Sequence, residues 1–155
     1  MTSKHCIYVL KNECLKKLRV PAGKSKGKLV FPLKIGSAKE LESRLGTLNT
    51  SVFENFEPRY GLEGKDIKWV ERLIHLLLLD YRIMTKGNDR TEFFACPEDE
   101  AVSRIKKLVK VLQREFDIKP IKIKNLRGRS ASAIRANRKK SMAKSANDLK
   151  KSSRN

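Results

Sequence analysis

Cysteine and histidine are scarce in this chain, with three cysteines and two histidines among 155 residues. The cysteines, Cys6, Cys14 and Cys96, are odd in number and widely spaced, and no C-x-x-C pair occurs. Disulfide frameworks and structural zinc sites need denser clusters of these residues, so we expect neither. The cysteines are expected to be core thiols in a reducing compartment.

Long apolar runs are also missing. No stretch approaches the roughly 20 apolar residues that a membrane-spanning helix needs. Residues 1–10 lack the long apolar segment and the small-residue cleavage site of a signal peptide. We therefore expect a soluble, intracellular protein without a membrane partner.

Acidic residues are few: 17 Asp and Glu oppose 36 Lys and Arg, giving a formal net charge of +19. This balance favours a polyanionic partner, because each phosphate that a Lys or Arg neutralises releases a condensed counterion. We expect nucleic acid as the partner, ahead of an anionic membrane surface, and no small-molecule cofactor.

The basic excess is strongest near the carboxyl end, where residues 119–155 contain one acidic residue, Asp148. This segment is too poor in apolar residues to offset the entropy of ordering, so we predict a domain over residues 1–118 and a tail over residues 119–155 that is disordered when free. The side chains expected to grip nucleic acid are Lys24, Lys26 and Lys28 in a Lys- and Gly-rich loop, and Arg127, Arg129, Arg135, Arg138, Lys139 and Lys140 in the tail.

Apolar patterning in the first half predicts two strands followed by a helix. The strands are residues 6–10 and 28–36, which are rich in β-branched and apolar residues. Ser37 is expected to cap the helix that follows, with Leu41, Leu45 and Leu48 on its buried face.

The second half continues the alternation of strands and helices. Residues 53–62 are a third strand or irregular, Asp66 is expected to cap a core helix, residues 92–96 form a strand, and Pro97 opens a helix to about Phe116. The buried positions of the core helix repeat at helical spacing and are Ile67, Val70, Ile74, Leu77 and Tyr81. These elements predict a small α+β domain in which a central antiparallel or mixed sheet is flanked by about three helices.

Several common catalytic motifs are absent. Gly23-Lys24-Ser25 lacks the earlier glycine of a phosphate-binding loop, because Leu18 occupies that position. His5 and His75 cannot form an H-E-x-x-H site, and no Ser-His-Asp arrangement stands out. The polar residues that remain on predicted elements are Tyr8, Lys34, Arg44, Glu71 and His75, a plausible set for cleaving phosphodiesters.

In order and placement these residues resemble the GIY-YIG nuclease superfamily, in particular its phage and viral branch with a Lys-Ile-Gly second signature. Cys6-Ile7-Tyr8 matches the first signature and Lys34-Ile35-Gly36 the second. Ser43-Arg44-Leu45 matches the helical arginine motif, and Val70-Glu71-Arg72 the metal-binding acid. Glu92-Phe93-Phe94 looks like the short motif that closes the domain in that branch. The resemblance covers roughly residues 4–109.

The resemblance implies a metal-dependent endonuclease that leaves 5′-phosphate and 3′-hydroxyl ends in DNA. DNA is then the expected partner, with RNA the weaker choice, and the protein would reside with DNA, in the nucleus if the host is eukaryotic. Tyr8 would be the general base, Lys34 the cation that orients or acidifies it, and Arg44 the cation that meets the developing charge. Glu71 would hold one Mg²⁺ or Mn²⁺, with His75 beside it as a further catalytic candidate.

Two other interpretations remain open. Leu48 stands where many members of the superfamily carry His or Tyr, which favours a non-catalytic nucleic-acid-binding module on the same scaffold. The Ser-, Arg- and Lys-rich tail also suits an RNA-packaging arm of a ribonucleoprotein or virion.

Overall fold

A computed structural model describes residues 5–50, 56–65, 67–84, 87 and 91–123. In chain order its elements are β1 (His5–Asn12), β2 (Leu18–Arg19), β3 (Leu29–Val30), β4 (Leu33–Ala38), α1 (Leu41–Leu48), β5 (Phe56–Gly64), α2 (Lys68–Leu77), a 3₁₀ turn (Leu79–Tyr81), β6 (Phe93–Phe94), α3 (Glu98–Leu112) and β7 (Ile118–Pro120).

The apolar strand β1 forms the centre of a five-stranded sheet with the order β6-β4-β1-β5-β7. Every pairing in this sheet is antiparallel. The described residues therefore confirm the predicted α+β class with three helices around a mainly antiparallel sheet.

Alternate residues of β1 enter two separate cores. Ile7 and Val9 pack with residues of α2 and α3, whereas Tyr8 and Leu10 pack with Leu41 and other apolar residues around α1. Because successive side chains of a strand point to opposite faces, α1 covers one face of the sheet and the other two helices cover the opposite face. Tyr8 consequently lies on the α1 side.

Two predicted boundaries around β4 are wrong. The predicted strand over residues 28–36 is divided by Pro32, which has no N–H for a ladder; β3 pairs with β2 in a separate two-stranded hairpin. Ser37 does not cap a helix, because it pairs with Ile7 in the sheet. The helix begins later, at Leu41, because β4 continues through Ser37 to Ala38.

The core helix α2 is predicted correctly in its first two turns, where Val70 and Ile74 are buried. Leu77 is 36% exposed, and Leu78 fills the core instead. Tyr81 is buried as predicted, but in the 3₁₀ turn that follows the helix. The proposed cap Asp66 lies outside the described residues.

The strand β7 was not predicted. It pairs with β5, and the following Ile121 packs over Gly61, whose missing side chain leaves room for it. The folded unit thus continues slightly beyond residue 118, while residues 124–155 lie outside the described part. Within the described ranges, no helix is long and apolar enough to cross a membrane.

Candidate functional site

The site is centred on Tyr8, which lies between two glycines in neighbouring strands. Tyr8 pairs with Gly36 of β4 and with Gly61 of β5. The tyrosine is 1% exposed, yet its hydroxyl reaches the space above Gly36, where an added Cβ would lie 2.7 Å from the hydroxyl oxygen. The glycine of the second signature therefore provides the space that the phenol group occupies.

Arg44 approaches the same hydroxyl from α1. Its Nε lies 3.4 Å from the Tyr8 hydroxyl oxygen, a long hydrogen bond. Burial raises the pKa of Tyr8 above its ordinary value, the Arg44 hydrogen bond acts in the opposite direction, and the negative charges of Glu92 and Glu71 raise the pKa further. Desolvation is the largest of these effects, so the phenol form is favoured in the free protein.

Lys34 and Glu92 form an ion pair beside Tyr8. Lys34 Nζ lies 2.7 Å from Glu92 Oε2 and 4.8 Å from the centre of the Phe93 ring. The backbone holds this pair in place, because the Ile35 N–H donates to the Glu92 carbonyl at 2.9 Å. The cation in contact with Tyr8 is thus Arg44, while Lys34 contacts Glu92.

The Glu92 carboxylate also faces the space above Gly36. An added Cβ at Gly36 would lie 3.1 Å from Glu92 Oε2 as well as close to Tyr8. The tyrosine hydroxyl and the glutamate therefore meet above a single glycine, and each contacts one cation, Arg44 and Lys34 respectively. Two cations, a carboxylate and a phenol are thus concentrated in one place, as is common in active sites.

Glu71 lies on α2, the helix that packs on the other face of the sheet from Tyr8. Its charge acts on the pKa of Tyr8, and its Oε1 lies 4.0 Å from His75 Nε2, one helical turn away. The Glu71 side chain is 18% exposed, and no Lys or Arg forms an ion pair with it among the described residues. A half-buried carboxylate without a strong cation partner is suited to one divalent metal ion.

The described residues contain no cluster of three or more His, Cys, Asp or Glu that could enclose a metal ion. Mg²⁺ and Mn²⁺ do not need such a cluster, because they are often held by one or two carboxylates together with water and substrate phosphate. The donor set around Glu71 therefore fits a metal that binds together with a phosphate-bearing ligand.

His75 has both ring nitrogens engaged. Nε2 lies 3.0 Å from the Ile35 carbonyl oxygen, and Nδ1 lies 3.1 Å from Arg82 Nη2. Arginine only donates, so Nδ1 accepts and Nε2 carries the proton that is donated to Ile35. This arrangement was not predicted; no sequence pattern marks Arg82, which reaches His75 only because of the turn after α2.

The predicted basic loop is an ordered turn at the tip of the β2–β3 hairpin. Lys24, Lys26 and Lys28 are all exposed. Backbone hydrogen bonds span the turn, and Gly23 and Gly27 have positive φ angles of 73° and 85°. The turn therefore presents three ammonium groups from a defined backbone.

The basic residues predicted in the tail lie outside the described residues: Arg127, Arg129, Arg135, Arg138, Lys139 and Lys140. Their role as nucleic-acid contacts stays a prediction. The same holds for the disorder expected there.

Fold and site together define a small α+β domain with a cationic, carboxylate-containing site built on two adjacent strands. The family model of the T5orf172 domain matches residues 5–110, and the chain belongs to this family. This is a nuclease-associated domain, which indicates a nuclease-like or nucleic-acid-binding role. Comparison with curated proteins and with solved structures gives no significant match.

Proposed function

We propose that this protein is a metal-dependent endonuclease of the GIY-YIG type that hydrolyses phosphodiester bonds in DNA. The observation that carries the proposal is the convergence of Tyr8, Arg44 and the Lys34–Glu92 pair around Gly36. The negative charge of Glu71 adds a smaller electrostatic effect on the pKa of Tyr8. The nuclease-associated family supports the same activity.

Hydrolysis needs a base for the attacking water, positive charge at the phosphate and stabilisation of the leaving oxygen. Tyr8 is the base in its phenolate form. Arg44 favours that form through its hydrogen bond and offers a planar cation to the phosphate. Lys34, partly neutralised by Glu92, adds positive charge on the same face of the sheet.

Glu71 is the residue that would hold one Mg²⁺ or Mn²⁺. Such an ion, when bound, neutralises charge on the phosphate and on the departing 3′ oxygen. His75, with both nitrogens engaged, supports the strand that carries Gly36. Products with 5′-phosphate and 3′-hydroxyl ends follow from attack at phosphorus with loss of the 3′ oxygen.

The basic turn and the tail contribute to DNA affinity through phosphate contacts, and this contribution depends on salt concentration more than on base sequence. Lys24, Lys26 and Lys28 would contact phosphates on one side of the domain. The arginines and lysines of the tail would add contacts of the same kind. DNA is the proposed partner, with RNA less favoured.

A second candidate is a non-catalytic nucleic-acid-binding module. Leu48 packs at the border of the α1 core, an apolar side chain where many GIY-YIG members carry His or Tyr. The raised pKa of Tyr8 also reduces the population of the proposed base in the free protein. This candidate predicts DNA binding without cleavage under any metal condition.

The proposed activity is tested with a labelled DNA duplex incubated with Mg²⁺ or Mn²⁺, followed by treatment with DNA ligase. We expect metal-dependent nicks that ligase reseals directly, because it needs a 5′-phosphate and a 3′-hydroxyl. Tyr8→Phe should bind the duplex normally and produce no nicks. Tight binding by wild type with no nicks in linear, branched or damaged duplexes would favour the second candidate.

A further inference from the structure

Arg82 belongs to none of the nuclease-like motifs but connects the two sides of the site. The planar end of its side chain has two donors in use: Nε donates to the Thr91 carbonyl at 3.0 Å, and Nη2 to His75 Nδ1 at 3.1 Å. One guanidinium group thus joins α2 to the segment that leads into Glu92. A lysine, with its single ammonium, cannot reproduce this fork.

The backbone around Arg82 makes the same connection. Arg82 forms an isolated antiparallel bridge with Phe94, and the Ile83 N–H donates to the Phe93 carbonyl at 2.9 Å. The guanidinium also lies 5.8 Å from the centre of the Phe94 ring, which His75 contacts at 5.2 Å. The position of Arg82 is therefore fixed by several independent contacts.

His75 completes the edge of β4 at the point where β6 ends. β6 pairs with Leu33 and Lys34, and the Glu92 carbonyl accepts from the Ile35 N–H. Among the described residues, no strand N–H of that ladder donates to the Ile35 carbonyl, which instead accepts from His75 Nε2. This hydrogen bond gives the Ile35 carbonyl, next to Gly36 in β4, its partner. It requires the proton of His75 to be on Nε2.

We propose that Arg82 is a positioning residue that locks the His75 ring in its Nε2–H form and fixes the strand end that carries Glu92. Through these two contacts it holds the Lys34–Glu92 pair and the space above Gly36 in their relative positions. The effect on catalysis rests on the proposed nuclease function. The lock itself is a property of the free protein.

The lock is tested in the free, full-length protein by NMR of ¹⁵N-labelled histidine. The chain has two histidines, so its spectrum holds two imidazoles, which a His5→Gln variant assigns. We expect His75 to be an Nε2–H tautomer whose proton exchanges slowly. Arg82→Met should shift the Nδ1 resonance and accelerate exchange of the Nε2 proton, whereas Arg114→Met, at an exposed arginine beyond α3, should change neither.

Arg82→Lys provides a second variant that keeps the positive charge. We expect it to retain at most one of the two hydrogen bonds and to show the same loss of Nε2 proton protection. An Nδ1–H tautomer in wild type, or a His75 spectrum unchanged in both Arg82 variants, would overturn the proposal.

Cleavage kinetics then test the link to the proposed function. Arg82→Met should slow single-turnover cleavage by roughly tenfold to a hundredfold at unchanged DNA affinity. In a His75→Phe background the same substitution should have much less effect, since Phe can neither donate nor accept. Full additivity of the two substitutions would contradict a role through His75. The expected His75 spectrum in a protein that never cleaves would support the lock and contradict the nuclease function.

Discussion

Gly36 lies directly opposite Tyr8 in the β1–β4 ladder, and a Cβ at Gly36 would lie 2.7 Å from the Tyr8 hydroxyl oxygen. Real Cβ atoms essentially never approach another heavy atom so closely. The same added atom would lie 3.1 Å from Glu92 Oε2. Glycine at this position is therefore required by the arrangement of the site.

Gly36→Ala should accordingly displace the phenol and abolish cleavage while the domain still folds. Gly46→Ala is the matched control: Gly46 lies in α1, nothing lies within 4 Å of its added Cβ, and alanine favours helix by up to about 1 kcal/mol. Cleavage rate and urea unfolding should be measured for both variants. Full activity in Gly36→Ala would show that the Tyr8 hydroxyl is not needed where the structure places it.

The raised pKa of Tyr8 predicts an alkaline pH profile for cleavage. Because the base is the phenolate, the rate should rise with pH through the neutral and mildly alkaline range. Arg44→Gln removes the hydrogen bond that lowers the pKa and should move the profile to higher pH. Tyrosinate absorbance gives the pKa directly, as the difference between wild type and Tyr8→Phe in a chain with three tyrosines. A profile that is flat through this range would exclude Tyr8 as the base.

Buried tyrosine and cysteine also predict loss of stability at high pH. Burial and the hydrogen bond to Glu100 raise the pKa of Tyr81 from 10.0 to about 12, and burial raises that of Cys96 from 9.0 to about 12. The folded state therefore binds these protons more tightly than the unfolded state. Their contribution is fully present below the unfolded values and is lost as pH rises through the folded values.

This loss is measured as the free energy of unfolding in urea at about pH 7 and at about pH 11. In the unfolded state the two groups keep their protons at the lower pH and have largely lost them at the higher pH. Wild type should be clearly less stable at the higher pH. Cys96→Ala, less stable at both pH values, should show a smaller decrease between them. An equal decrease in both proteins would contradict the assignment to Cys96.

The ordered basic turn predicts a defined part of the salt dependence of DNA binding. Replacing Lys24, Lys26 and Lys28 by Gln should lower the slope of log affinity against log salt by about 0.9 for each phosphate that these lysines neutralise. Lys119→Gln is the comparison, since the Lys119 ammonium is paired with Asp117 at 3.0 Å. Fluorescence anisotropy across a salt series gives both slopes. An unchanged slope in the triple variant would place the DNA elsewhere.

Much of the fold could be predicted from apolar patterning, because β1 is a continuous apolar run buried on both faces and the buried residues of α2 and α3 repeat at helical spacing. The errors lie where tertiary contacts override local signals. Serine is a residue type that often caps helices, yet the backbone of Ser37 pairs with β1 in the sheet. β7 is too short and polar to be recognised, and it forms only because β5 offers an edge for pairing.

Site residues were predictable only as a set of types at plausible positions. The sequence could indicate Tyr8, Lys34 and Arg44, but it could not show that Arg44 contacts the tyrosine while Lys34 pairs with Glu92, 58 residues away. The Arg82–His75 contact carries no sequence signal either. These partnerships are decided by strand register and by the turn after α2, which are properties of the folded chain.

We propose that Glu71 and the groups around Gly36 form a hydrolytic site. This is tested by conversion of supercoiled plasmid to nicked or linear form with Mg²⁺ or Mn²⁺, comparing wild type with Glu71→Gln and the exposed control Glu115→Gln at matched DNA occupancy. We predict metal-dependent conversion by wild type and Glu115→Gln, and a rate lower by about a hundredfold or more in Glu71→Gln. Equal rates in wild type and Glu71→Gln, or wild type that is saturated with DNA and never cuts it, would contradict a hydrolytic site at Glu71.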